Sequence, residues 1–122
     1  MPKEKDFNQV FQDLKAVMQP YEKELVLKKD EADNYYLNVH FKREDGYQGA
    51  FGGVEVKKNY VSYHLMPVYA YPELLETISP TLKKRMQGKS CFNFTKTDAE
   101  MLKELEGLTR KGFEAFKKAN LV

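Results

Sequence analysis

Residues 35–66 read YYLNVHFKREDGYQGAFGGVEVKKNYVSYHLM, and their pattern predicts three strands of an antiparallel sheet joined by two short turns. Apolar and polar side chains alternate through residues 35–42, which is typical of a strand that buries one face. Asp45-Gly46 is the kind of pair that favours a two-residue hairpin turn. Lys58-Asn59 marks a second, weaker turn. The segment therefore predicts an antiparallel meander.

The two turns fix which residues oppose each other across this meander. Counting from the first turn gives Phe41 opposite Ala50, Val39 opposite Gly52, Leu37 opposite Val54 and Tyr35 opposite Val56. Counting from the second turn gives Val56 opposite Val61, Val54 opposite Tyr63 and Gly52 opposite Leu65. Apolar residues meet on one face in both counts, and a slip of one residue would break that match. This register predicts the core face of the sheet.

The opposite face of the sheet, called the outward face below, is predicted to carry both histidines, His40 and His64. Gly53 has no side chain, so it is predicted to leave a gap between Asn38 and His64. We interpret this gap as a binding site for a small polar or anionic ligand. The predicted ligand-binding residues are Asn38, Phe51, Gly53, Lys57, Tyr60, Ser62 and His64.

Five side chains of this predicted site have a chemical role in the hypothesis. His64 and Asn38 hydrogen-bond the ligand, Tyr60 and Phe51 stack on it, and Lys57 supplies charge. A histidine titrates near neutral pH and can act as an acid or a base, but the pattern places no nucleophile or carboxylate beside it. No catalytic residue is therefore predicted, and binding is favoured over enzymatic activity. The two histidine backbones would be roughly 12 Å apart, too far for easy joint ligation of one zinc, so no metal site is predicted.

The rest of the chain predicts helices on either side of the sheet in sequence. Helical spacing over residues 7–18 ends before Pro20, and residues 25–27 form a short strand. Short helices follow the meander, a strand is predicted over residues 90–95, and Thr97 with Glu100 forms a capping box that opens the last helix. The fold class is therefore α+β: an antiparallel sheet of about five strands with the N-terminal and C-terminal helices packed on one face. Residues 1–122 are predicted to form one domain.

Composition limits the classes of partner. Hydrophobic residues make up 42% of the chain and charged residues 31%, as in globular proteins. The net charge of +2 creates no strong field for nucleic acid or for an anionic membrane. No apolar run reaches membrane-spanning length, and the start MPKEKD lacks the apolar core of a signal peptide. The sequence predicts a cytoplasmic protein without a membrane partner.

The chain has one cysteine, Cys91, which excludes an internal disulfide and fits a reducing compartment. Strand alternation places Cys91 on the face opposite Phe92. As a nucleophile, Cys91 would need a base within hydrogen-bonding reach. Because single cysteines usually behave as small apolar residues, packing is the favoured interpretation.

Four side chains predicted on the outward face leave two further hypotheses open. They are Tyr36, Phe51, Tyr60 and Met66. As a semi-apolar surface they predict a contact with a second copy of the chain. The three aromatic rings, together with the basic run at residues 83–85, also fit single-stranded nucleic acid. Glu55 in the middle of the face and the small net charge argue against nucleic acid.

Three segments resemble the small bacterial YdhG-like family, which is described mostly as a domain of unknown function. They are GGVEV at residues 52–56, YVSYHL at 60–65 and MQGKSCFNF at 86–94. The resemblance covers roughly residues 7–116, and its motifs are structural, with no catalytic signature among them. It implies a small α/β domain with an antiparallel sheet packed against helices.

Some members of the YdhG-like family are described as frataxin-like iron chaperones, which implies a possible iron cofactor or cargo. That role predicts an acidic ridge on the first helix, because iron favours carboxylate ligands. This chain departs from the pattern, since lysines at positions 3, 5 and 15 offset Glu4, Asp6 and Asp13. The resemblance carries no iron ligand over to a position of this chain, and iron delivery is an alternative function only.

Overall fold

The computed structural model describes residues 7–42, 48–88 and 90–119. Its helices and strands are α1 (Phe7–Met18), β1 (Val26–Glu31), β2 (Asn34–Lys42), β3 (Gln48–Val56), β4 (Val61–Leu65), α2 (Met66–Ala70), α3 (Pro80–Lys83), β5 (Met86–Gln87), β6 (Cys91–Phe94) and α4 (Ala99–Lys118). Two 3₁₀ helices cover Gln19–Glu24 and Pro72–Thr77. Neighbouring strands pair antiparallel in the order β1-β2-β3-β4-β6-β5.

The predicted α+β class is confirmed, with six strands in the described residues instead of about five. The sixth is β5, a two-residue edge strand that pairs with β6. α3 ends at Lys83, and Met86 begins β5. Gly88 has a φ of +79°, a left-handed conformation that glycine adopts at little steric cost, and it lies just before β6.

The helices pack on the core face of the sheet. α1 buries the apolar stripe Phe7, Val10, Phe11, Leu14, Val17 and Met18. α4 buries Leu105, Leu108, Phe113 and Phe116, and its Thr109 hydroxyl hydrogen-bonds the hydroxyl of Tyr63 on β4 at 2.6 Å. This buried hydrogen bond satisfies both hydroxyls where the long helix crosses the sheet.

The start of α4 differs from the predicted capping box. Asp98 is the N-cap, and its side chain accepts a hydrogen bond from the backbone N–H of Met101 at 2.8 Å. Thr97 instead donates its hydroxyl hydrogen to Asp13 on α1 at 2.8 Å. Both residues are good caps, and the contact with Asp13 ties the two long helices together at this end.

The second predicted turn and its register are confirmed. The backbone N–H of Lys57 donates to the carbonyl of Tyr60 at 2.7 Å, closing the hairpin around Lys58-Asn59. β3 and β4 then pair as counted, with Val56 opposite Val61, Val54 opposite Tyr63 and Gly52 opposite Leu65. The predicted Asp45-Gly46 turn falls at residues 43–47, outside the described residues.

The predicted register between β2 and β3 is wrong by two residues. Leu37 pairs with Gly52, not with Val54, and Tyr35 pairs with Val54, not with Val56. The register then shifts again, because Leu37 pairs with Gly52 while the next residue, Asn38, pairs with Ala50. Phe51 is therefore the extra residue of a β-bulge. A bulge turns two consecutive side chains toward one face, which a strict period of two does not allow.

The bulge moves Phe51 off the outward face. Its ring is fully buried and meets the rings of Phe113 and Phe116 on α4 edge-on, at centroid distances of 6.0 and 6.1 Å. The prediction that Phe51 stacks on a ligand is therefore wrong. Met66 also leaves the predicted outward surface, because it begins α2 and packs partly buried against the core.

Candidate functional site

Two neighbouring rows of residues cross the outward face. The first row runs from β2 to β5 through Tyr36, Gly53, His64, Cys91 and Gln87. The second row runs from β2 to β6 through Asn34, Glu55, Ser62 and Asn93. Because successive residues of a strand point to opposite faces, these two rows share the face away from the helices. They form a polar surface.

A cavity of about 310 Å³ lies over these rows and is named the sheet groove here. Its lining combines members of both rows with Val54, which lies between them on β3, and with the hairpin residues Lys57 and Tyr60: Tyr36, Gly53, Val54, Glu55, Lys57, Tyr60, Ser62, His64, Gln87, Cys91 and Asn93. Small-molecule sites in proteins start at about this volume.

His64 and Cys91 form a contact at one end of the sheet groove. Their residues pair across β4 and β6, and Nδ1 of His64 lies 3.3 Å from Sγ of Cys91. The Ser90 hydroxyl lies 3.2 Å from the same nitrogen. A neutral imidazole protonated at Nε2 accepts at Nδ1 from either the thiol or the hydroxyl. The cysteine that the sequence assigns to packing therefore has a base within hydrogen-bonding reach.

Burial lowers the pKa of His64 below its usual value near 6.5. The charged imidazolium loses hydration when the ring is covered, and the described residues near it offer no ion pair with the ring in compensation. His64 is therefore neutral at pH 7 and keeps a free lone pair on one ring nitrogen.

This lowered pKa predicts that His64 makes the fold acid-sensitive. As pH falls through about 6.5, the unfolded chain protonates this imidazole while the folded chain does not, so the free energy of unfolding decreases. Urea unfolding at about pH 7.5 and about pH 5.5 should show a larger loss for the wild type than for His64→Gln, which does not titrate. Equal losses in the two proteins would contradict the buried, neutral state of His64.

A charge pair lies at the hairpin end of the sheet groove. Nζ of Lys57 is 3.0 Å from Oε1 of Glu55, and each of the two side chains is a little under half exposed. The hydrogen bond and charge of Glu55 raise the pKa of Lys57, to which Tyr60 and Cys91 add smaller electrostatic contributions. Because Glu55 offsets Lys57, the groove carries little net charge among its described side chains.

The predicted gap beside Gly53 is filled by an aromatic ring. Tyr36, not Asn38, pairs with Gly53, and its ring lies over the position that a Cβ at Gly53 would occupy. The Tyr36 and His64 rings are nearly parallel, with an interplanar angle of 19° and centroids 6.1 Å apart. Gly53 therefore provides the space for Tyr36, and the two rings form an aromatic wall of the groove.

Asn38 lies in a neighbouring depression and not in the sheet groove. This depression, named the side depression here, has a volume of about 470 Å³ and is lined by Lys28, Lys29, Asn34, Tyr36, Asn38 and Glu55. Tyr36 and Glu55 separate it from the sheet groove. The two-residue error in the β2–β3 register accounts for the wrong placement of Asn38 beside His64.

The structure thus brings five of the seven predicted site residues together: Gly53, Lys57, Tyr60, Ser62 and His64. It places Phe51 in the core and Asn38 in the side depression. The predicted position of the His40 side chain lies outside the described part of the structure. The sequence reasoning missed Cys91, Asn93 and Gln87 as neighbours of His64, because they come from strands with no short connection to β4.

One sequence signal places two of these residues on the outward face without showing that they lie near His64. Phe92 and Phe94 alternate with Cys91 and Asn93, so burying the two phenylalanines turns the other two side chains outward. The alternation does not reveal which strand lies next to β6. That pairing with β4 spans three intervening helical segments.

Comparisons with known proteins identify no relative of this chain. No protein-family model matches the chain, and neither curated proteins nor solved structures give a match. In the described residues, no group of three or more His, Cys, Asp or Glu side chains is placed to hold a metal ion. No helix within the same ranges is long and apolar enough to cross a membrane.

Proposed function

We propose that this chain is a binding domain whose sheet groove takes a small polar ligand. The observation that carries the proposal is the convergence of Lys57, Tyr60, Ser62 and His64 around one cavity on the face that the helices leave open. Binding sites combine apolar or aromatic walls with a few polar groups that orient the ligand, and this groove has both.

The chemistry of the groove favours a neutral polar ligand over an anion. Among the described residues, Lys57 is the cation of its lining, and the carboxylate of Glu55 already pairs with it. His64 adds no positive charge at pH 7, because burial lowers its pKa. The nearly parallel rings of Tyr36 and His64 suit a flat ring, while Ser62 and Asn93 offer hydrogen bonds to an amide or hydroxyl group.

The alternative functions have less support from the side chains described. Two of the four residues proposed for a dimer surface, Phe51 and Met66, pack on the core, so the outward face is more polar than the dimer hypothesis needs. The same move of Phe51 removes one of three rings proposed to stack on nucleic acid. Iron delivery and membership of the YdhG-like family stay predictions from the resemblance.

A pair of probes that differ in charge tests the proposal. Nicotinamide is a flat, neutral heteroaromatic amide, and nicotinate has the same ring with an anionic carboxylate. We expect nicotinamide to bind with a dissociation constant on the order of 1 mM, as suits so small a molecule, and nicotinate to bind more weakly. Ligand-observed NMR measures both affinities.

Variants in the two cavities locate the binding. His64→Ala should weaken nicotinamide binding by about tenfold, since it removes a ring contact and a hydrogen-bonding group. Asn38→Ala, the matched change in the side depression, should leave the affinity within about twofold. An equal loss in both variants, or a preference for nicotinate, would contradict the proposed neutral site in the sheet groove.

A further inference from the structure

Cys91 is the one nucleophilic thiol of the chain, and the sheet groove gives it both a base and access. The thiol is half-buried in the lining of the cavity, with Nδ1 of His64 at 3.3 Å from its sulfur. A nucleophile and a base within hydrogen-bonding reach, beside space for a substrate, are the arrangement that activates a cysteine. Cys91 is therefore a thiol held beside a base and a cavity, and not an isolated thiol.

We propose that Cys91 is a thiol–disulfide exchange site, modified by small polar disulfides that enter the sheet groove. This inference rests on the proposed function, because the disulfide occupies the same groove as the noncovalent ligand. It adds a covalent step at Sγ of Cys91, and the ligand in that step is a small polar disulfide.

The exchange balances within the protein and one disulfide molecule. His64 Nδ1 takes the proton from the Cys91 thiol, and the thiolate attacks one sulfur of the small disulfide. The new bond from Cys91 to that sulfur forms as the original S–S bond breaks. The departing thiolate takes the proton from the His64 imidazolium and leaves as a thiol. Cys91 is oxidised, one sulfur of the small disulfide is reduced, and no further oxidant is needed.

The residues around Cys91 favour its reaction with a disulfide over a role in packing alone. His64 from β4 is neutral at pH 7 and can accept the proton, while Ser90 can hydrogen-bond the same nitrogen when the thiol is consumed. Among the described residues, the charged side chains that line the groove are Glu55 and Lys57, and they pair with each other. The imidazole of His64, and not a net charge in the groove, is therefore the group that promotes loss of the thiol proton.

The test uses bis(2-hydroxyethyl) disulfide, a small neutral disulfide, and intact-mass spectrometry of the full chain. With one cysteine, each adduct reports Cys91 alone. We expect the native wild type at about pH 7 to react about tenfold faster than the same chain unfolded in concentrated urea, where no imidazole is held beside the thiol. A native rate equal to or below the unfolded rate would overturn the proposal, and this comparison needs no variant.

His64→Gln distinguishes base assistance from mere exposure. We expect it to slow the reaction about tenfold at about pH 7 and to make the rate rise more steeply with pH, because the solvent must then take the thiol proton. The matched control Asn38→Ala should react like the wild type. An unchanged rate and pH profile in His64→Gln would overturn the role of the imidazole.

The two proposals fail in different ways. Nicotinamide binding without fast exchange would remove the thiol site and leave the binding domain standing. Fast exchange that depends on His64, in a protein that does not bind nicotinamide, would remove the proposed nicotinamide-type binding and leave the thiol site standing. If both hold, saturating nicotinamide should slow the formation of the adduct, because the two molecules compete for the sheet groove; an adduct rate unaffected by bound nicotinamide would place the thiol outside the shared site and overturn the inference.

Discussion

Replacing Phe51 with alanine is expected to lower the free energy of unfolding by about 3–5 kcal/mol. The Phe51 ring is fully buried between β3 and α4, where it meets the edges of Phe113 and Phe116. Removing it leaves a cavity that the surrounding backbone can fill only in part. Denaturant unfolding followed by circular dichroism measures the loss.

The Phe51 variant also tests the β-bulge. In a regular β3 strand with the predicted register, Phe51 would lie on the outward face, and its removal would change stability by less than about 1 kcal/mol. Tyr69→Ala is the matched control, because Tyr69 is an aromatic residue with 56% of its surface exposed. Similar small effects in the two variants would contradict the bulge and the inward ring.

Gly53→Ala is the second change with a large expected effect, a loss of about 1–3 kcal/mol. A Cβ at this position would collide with the Tyr36 ring and approach the backbone carbonyl oxygen of Tyr35 to 2.8 Å. The ring can rotate away, but the carbonyl belongs to the paired strand and can move only by distorting the sheet. The same displacement of Tyr36 should open the aromatic wall of the sheet groove.

A second glycine provides the control for this substitution. Gly107 lies within α4, and a Cβ there would meet no atom of the described residues within 4 Å. Gly107→Ala should therefore raise the free energy of unfolding by up to about 1 kcal/mol, because alanine favours the helix. If Gly53→Ala behaved in the same way, Tyr36 would not lie over Gly53.

The sequence predicts strand register and helix ends correctly where residues close together in the chain determine them. The β3–β4 register follows from a two-residue turn at Lys58-Asn59 and from apolar alternation on both sides of it. The end of α1 at Met18 follows from helical spacing and from Pro20. In each case the deciding residues are close in the chain, so no long-range contact had to be known.

The errors arose where the deciding interaction is nonlocal. The bulge lets the Phe51 ring contact Tyr21 and, on α4, Phe113 and Phe116. These three rings lie far from Phe51 in sequence. That packing overrides the strict alternation from which Phe51 and Asn38 were placed. The Cys91–His64 contact likewise depends on the pairing of β6 with β4, and pairing between strands without a short turn is not encoded by local spacing.

The most direct test of the sheet groove as a ligand site is a map of backbone amide chemical shifts during titration with nicotinamide. The groove predicts that the largest changes fall on adjacent residues of three strands: Gly53, Ser62, His64, Cys91 and Asn93. Asn38 and the α4 residues near Gly107 should change little. Changes concentrated around Asn38 or on α4, with the groove amides unaffected, would contradict the central claim that this groove binds small polar molecules.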